Sequence, residues 1–66
     1  MNIGDKVKVK QKYLLEIAKK DLESAKFLAR NVGKIVGFDD ITWYFTVKFK
    51  DKEFSFRRLH LERVDE

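Results

Sequence analysis

The residues most able to do chemistry in this chain are binding groups, not catalysts. Tyr44, Thr46 and Lys48 fall on alternate positions, which is one face of a strand, and Ser55 and Arg57 fall on the same face of the segment that follows. An aromatic ring among cations on a sheet can stack on a base while the cations neutralise phosphates. The plain structural reading is a solvated face of polar β-formers. Lys6, Lys8 and Lys10 form a second ladder that could track a phosphate backbone, or could simply keep a strand soluble and discourage edge pairing.

Other groups carry weaker signals. Tyr13 and Phe27 lie toward the polar side of a helical pattern, where an exposed ring among Lys20, Glu23 and Ser24 could anchor a protein partner or a second copy. A helix break at Asp21 would instead turn Phe27 inward. Trp43 shares the alternation of Phe45 and Val47 and is expected in the core. Arg57 and Arg58 are adjacent, so on a strand they point to opposite faces and do not form an anion clamp. Asp39-Asp40 has the composition of a turn. His60 is the one histidine and there is no cysteine, so neither a thiolate nor a poly-histidine metal site is expected. No nucleophile elbow and no glycine-rich phosphate loop is present. The expectation is therefore a non-enzymatic protein without cofactor or metal.

These groups need a scaffold, and 66 residues allow one domain, 1–66. Six Phe, two Tyr and one Trp supply the buried area that lets so short a chain fold without disulfides. The net charge of +4 favours acidic partners or nucleic acid, but the positive excess is spread over residues 1–58, while Glu62, Asp65 and Glu66 make the tail acidic. No apolar run is long enough to span a bilayer and no signal-peptide pattern opens the sequence, so a cytoplasmic protein without membrane contact is expected.

Val7 and Val9 alternate with lysines as in a half-buried strand, after a turn-like Gly4-Asp5. From about 13 to 30 the period changes. Leu15, Ala18, Leu22, Ala25, Ala29 and Val32, with Leu14 and Leu28 beside them, predict the buried stripe of one amphipathic helix. Asn31 and Gly33 are candidates for its left-handed end, and its start lacks a capping side chain. Residues 34–38 predict a short strand. Ile41, Trp43, Phe45, Val47 and Phe49 predict a long one, with a turn at Asp51-Lys52 and a return strand. Pairing Lys50 with Glu53 sets Phe49 opposite Phe54 and Val47 opposite Phe56, on one face. A 3₁₀ turn at 58–60 and a last short strand at 61–64 complete the order. The predicted fold is mainly β with one helix (α+β): a five-stranded SH3-like small barrel with an amphipathic helix inserted between strands 1 and 2, closed so that no edge is left exposed.

The segments Ile3-Gly4-Asp5-Lys6-Val7, Val32-Gly33-Lys34-Ile35-Val36-Gly37, Val47-Lys48-Phe49 and 54–64 together resemble the SH3-like small barrels. They are similar to the ferredoxin–thioredoxin reductase variable chain, to the small E polypeptide of photosystem I and to many short bacterial and phage proteins. The photosynthetic families carry a loop where this chain carries 13–30. Thr46-Val47-Lys48-Phe49-Lys50 with Lys52-Glu53 is similar to the first hairpin of the small archaeal chromatin proteins. The resemblance implies a barrel that binds. The leading expectation is an accessory or adaptor module acting by protein–protein contact or self-association through Tyr13 and Phe27. The alternative is a basic nucleic-acid binder using Lys6, Lys8, Lys10, Tyr44, Lys48 and Arg57.

Overall fold

A computed structural model describes residues 1–64; the tail acids Asp65 and Glu66 lie outside the described residues. The chain is an α+β domain. Strand β1 (Lys6–Val9) leads to helices α1 (Gln11–Lys20) and α2 (Leu22–Arg30). Strands β2 (Gly33–Phe38), β3 (Tyr44–Phe49) and β4 (Lys52–Arg57) follow, then a 3₁₀ turn at Arg58–His60 and β5 (Leu61–Arg63). The five strands form one antiparallel sheet in the order β4-β3-β2-β1-β5. The closed barrel expected from the sequence is not what forms: β4 and β5 are not hydrogen-bonded to each other, so the sheet is open with these two strands as its edges. No helix among the described residues is long and apolar enough to cross a membrane.

Strand alternation builds the core. Val7, Val9, Ile35, Phe45, Val47, Phe49, Phe56 and Leu61 are buried, with Leu28 reaching them from α2. Gly33 begins β2 at a close approach. A Cβ there would stand 2.5 Å from Val47 Cγ1 and 2.7 Å from the Phe49 ring, so a side chain does not fit. The pairing of β2 with β3 shifts between Ile35 and Gly37, a bulge of the kind that bends a sheet.

The single helix expected over 13–30 is two helices. Asp21 has extended backbone (φ −152°), which ends α1 and caps α2. Its carboxylate accepts from the Ser24 N–H at 3.3 Å and the Ser24 hydroxyl at 2.7 Å. These bonds hold the Asp21 carboxyl below the usual aspartate range. The break changes the buried face. Tyr13, Leu14, Ile17 and Phe27 pack on the core, whereas Leu15, Leu22 and Val32 from the expected stripe are exposed. α1 starts at Lys10 without a side-chain cap, as the sequence indicates. α2 does not end on a left-handed residue: Asn31 is extended and its side-chain amide donates to the Phe27 carbonyl at 2.7 Å.

The β3–β4 hairpin forms with a register two residues away from the expected one. Phe49 faces Lys52, Val47 faces Phe54 and Phe45 faces Phe56. The two-residue turn is Lys50-Asp51, with Lys50 at φ 56°. A slip of one residue would have exchanged the two faces of the strand; a slip of two preserves them. The same phenylalanines are therefore inside in either register.

Candidate functional site

The strand expected to start at Ile41 starts at Tyr44, because residues 39–43 fold into a turn of their own. The Asp39 carboxylate accepts from the Ile41 N–H at 2.9 Å and the Thr42 N–H at 3.3 Å. These bonds lower the Asp39 pKa from its ordinary value. The Trp43 N–H donates to the Asp39 carbonyl at 2.8 Å, and the Asp39 N–H donates to the Tyr44 carbonyl at 2.9 Å. The turn closes with Trp43 at φ 66°, a left-handed backbone that is costly for a bulky side chain. That inversion breaks the alternation. Trp43, expected in the core, is 70% exposed, and Ile41 is exposed beside it.

Trp43 stands at one end of the curved sheet, at the mouth of a cleft of about 890 Å³. Phe38 meets Trp43 edge-on at 6.1 Å and Phe45 at 4.7 Å, so the three rings form one continuous wall. Leu59 of the 3₁₀ turn and Leu61 of β5 form the facing side, and Leu59 is 63% exposed. Lys10, Arg57 and Arg58 rim the cleft, with Glu62 as the acidic lining residue. The volume is enough for a few side chains, and the lining is mostly apolar with three cationic residues.

The outer face of the sheet adjoins this mouth. Tyr44 and Arg57 are cross-strand partners, and the guanidinium lies 5.2 Å from the centre of the tyrosine ring. Thr46 faces Ser55 and Lys48 faces Glu53. Lys48 also faces Lys34 across β2, and Lys34 faces Lys6 across β1. The pairing gives the three lysines of the Lys6, Lys8, Lys10 ladder different neighbours. Lys6 joins the lysine row, Lys8 lies opposite Glu62, and Lys10 reaches the mouth. Lys34 belongs to the cationic row and is missed in the sequence, because the signal lies in the pairing of β1, β2 and β3 and not in local spacing.

Tyr13 and Phe27 are not brought together, and neither stands free. Tyr13 is half-buried, stacked on His60 at 3.6 Å and edge-on to Phe56 at 5.9 Å. Phe27 is half-buried against Phe54 at 6.3 Å, with the Lys52 ammonium 5.0 Å from its ring centre. The 3₁₀ turn links these groups to the mouth, since the Lys10 N–H donates to the His60 carbonyl at 2.8 Å. His60 Nδ1 is buried without a hydrogen-bond partner among the described residues. Burial, then the charges of Arg57 and Lys10, push the His60 pKa below its ordinary value.

The arrangement can stack, bury apolar groups and hold anions. The Ser24 hydroxyl bonds a carboxylate, but Asp21 is a helix cap with a lowered pKa and so a poor base. Among the described residues no group of three or more His, Asp or Glu could hold a metal ion. Compared with known protein families, curated proteins and solved structures, the chain matches none.

Proposed function

We propose that this chain is a non-enzymatic accessory module, an SH3-like small barrel with one seam open, that acts by protein–protein contact. Its docking surface is the mouth formed by the 39–43 turn, the end of β4 and the 3₁₀ turn. The observation that carries this reading is Trp43, turned out of the core by a left-handed backbone and left exposed beside Phe38 and Leu59. Backbone cost of this kind concentrates where a side chain is presented for binding. Trp and Arg are also the residue types that most often anchor protein interfaces. Lys10, Arg57 and Arg58 have no carboxylate within ion-pair distance among the described residues, so charge complementarity selects the partner. That partner is an acidic protein segment presenting one large apolar side chain to the cleft.

The test is a set of short peptides with a central leucine or phenylalanine, flanked either by glutamates or by neutral residues, titrated while Trp43 emission is recorded. The acid-flanked peptides are expected to shift the emission and to weaken as salt is raised. Trp43→Ala, followed through a labelled peptide, is expected to lose the binding. Equal binding of neutral and acidic peptides, or an unaffected Trp43→Ala variant, overturns the reading.

A further inference from the structure

We propose a second surface, adjoining the mouth and meeting it at Arg57: the outer face of the sheet binds single-stranded nucleic acid, with phosphates on Lys34 and Lys48 and a base stacked on Tyr44. Lys34 and Lys48 lie directly opposite each other across β2 and β3, and Lys6 lies opposite Lys34 across β1. Like charges placed directly opposite on one sheet face destabilise it. No carboxylate comes within ion-pair distance of Lys34 or Lys48 among the described residues, Glu53 included although it faces Lys48. A polyanion laid across Lys34 and Lys48 relieves a repulsion between these two that the fold leaves in place.

The same face carries a stacking platform. Tyr44 lies four positions before Lys48 on β3, roughly 13 Å away at about 3.3 Å per residue. It is 37% exposed and has the Arg57 guanidinium against its ring. Thr46 and Ser55 between them are small and polar, so the path from the lysines to the ring is not blocked by a bulky side chain. A stacking ring selects unpaired bases, because a duplex hides its base faces. A run of acidic side chains such as polyglutamate could use the lysines but would lay no flat ring on Tyr44.

The experiment is fluorescence anisotropy with a labelled short oligothymidylate over a salt series, with a duplex and polyglutamate as competitors. The oligothymidylate is expected to bind at low salt and to outcompete both. Lys34→Gln with Lys48→Gln is expected to flatten the log-affinity against log-salt slope by about 0.7 for each lysine. The same double variant should melt no lower than the parent, since a repulsion has been removed. Tyr44→Ala should cost roughly tenfold in affinity. Leu59→Ala, which removes an exposed side chain of the mouth and leaves Tyr44 and both lysines in place, should leave the affinity unchanged, so failure at the mouth and failure on the sheet face are told apart. No binding at low salt, competition by duplex or polyglutamate as strong as by the oligothymidylate itself, or an unaffected Tyr44→Ala variant overturns the proposal.

Discussion

The two ends of the curved sheet are built from the same kind of residue and are finished differently. At the hairpin end, Phe49 and Phe54 pack edge-on at 5.9 Å, and Phe27 of α2 closes over Phe54. At the other end, Phe38, Phe45 and Trp43 are in comparable contact, but among the described residues none from α1 or α2 lines the cleft beside them. Phe49 is 0% exposed and Trp43 is 70% exposed. Aromatic content therefore does not separate core from surface in this molecule. The covering element does: Phe27 of α2 lies over the hairpin end, and among the described residues none from α1 or α2 lines the cleft at the other. At the covered end the rings hold the fold together. At the open end the same chemistry is exposed.

The sharpest way to break this comparison is to delete one ring at each end. Phe49→Ala is expected to cost about 3–5 kcal/mol, which is the whole stability available to many domains of this size. Its circular dichroism melt should show a largely unfolded protein at room temperature. Trp43→Gly should go the other way. Glycine adopts the left-handed backbone freely, so the stability should hold or rise by up to about 1 kcal/mol, and the melting temperature with it, while peptide binding at the mouth is lost. If both variants unfold, the open end belongs to the core and the comparison fails.

A smaller effect tests how tightly the covered end is packed. Gly33→Ala places a methyl against Val47 and Phe49. Both neighbours are fully buried and have nowhere to move. A loss of about 1–3 kcal/mol in urea unfolding is expected. An unchanged midpoint would mean that the sheet relaxes more easily than its burial implies.

Trp43 and Phe27 also show how far the sequence can be read. Alternation puts Trp43 inside and helical period puts Phe27 outside, and the structure reverses both. Each rule holds only while the chain stays in phase, and each is broken by an aspartate. Asp21 restarts the helix, and Asp39 winds a turn that ends in a left-handed Trp43. The hairpin shows the opposite case. Its turn falls elsewhere than expected because Lys50 takes a left-handed φ usually given to glycine or asparagine, yet the buried residues are the expected ones because a slip of two preserves the faces. The five strands, the helical insertion and the 58–60 turn are legible from period and turn chemistry. The mouth is not, since it depends on the phase break at 39–43. The Lys34–Lys48 pair is not, since it depends on strand pairing. Asp21→Ala checks the first of these breaks directly. Loss of the cap is expected to cost about 1 kcal/mol. It should also raise amide exchange over 21–25, while Asp21→Asn, which can still accept from Ser24, should recover most of the loss.

The smallest expected effect concerns the 3₁₀ turn, where His60 stacks on Tyr13 of α1. The groups facing the imidazole are cationic Arg57 from the end of β4 and Lys10 from the end of β1, and Nδ1 has no acceptor among the described residues. The folded protein therefore keeps His60 neutral to a lower pH than the unfolded chain does. The unfolded state binds the proton first as pH falls below the ordinary histidine value of 6.5, so this contribution to stability is present above that pH and is lost on acidification through the folded pKa. Asp21 and Asp39, whose pKa values are lowered, lose their contributions only further down, below the ordinary 3.8. The two windows are separable. Urea midpoints measured between neutral pH and the carboxylate range should decline for the parent and stay flat for His60→Phe, which keeps a ring against Tyr13 but cannot take a proton. A parallel decline in the variant would place the acid sensitivity elsewhere and leave the stack as packing alone.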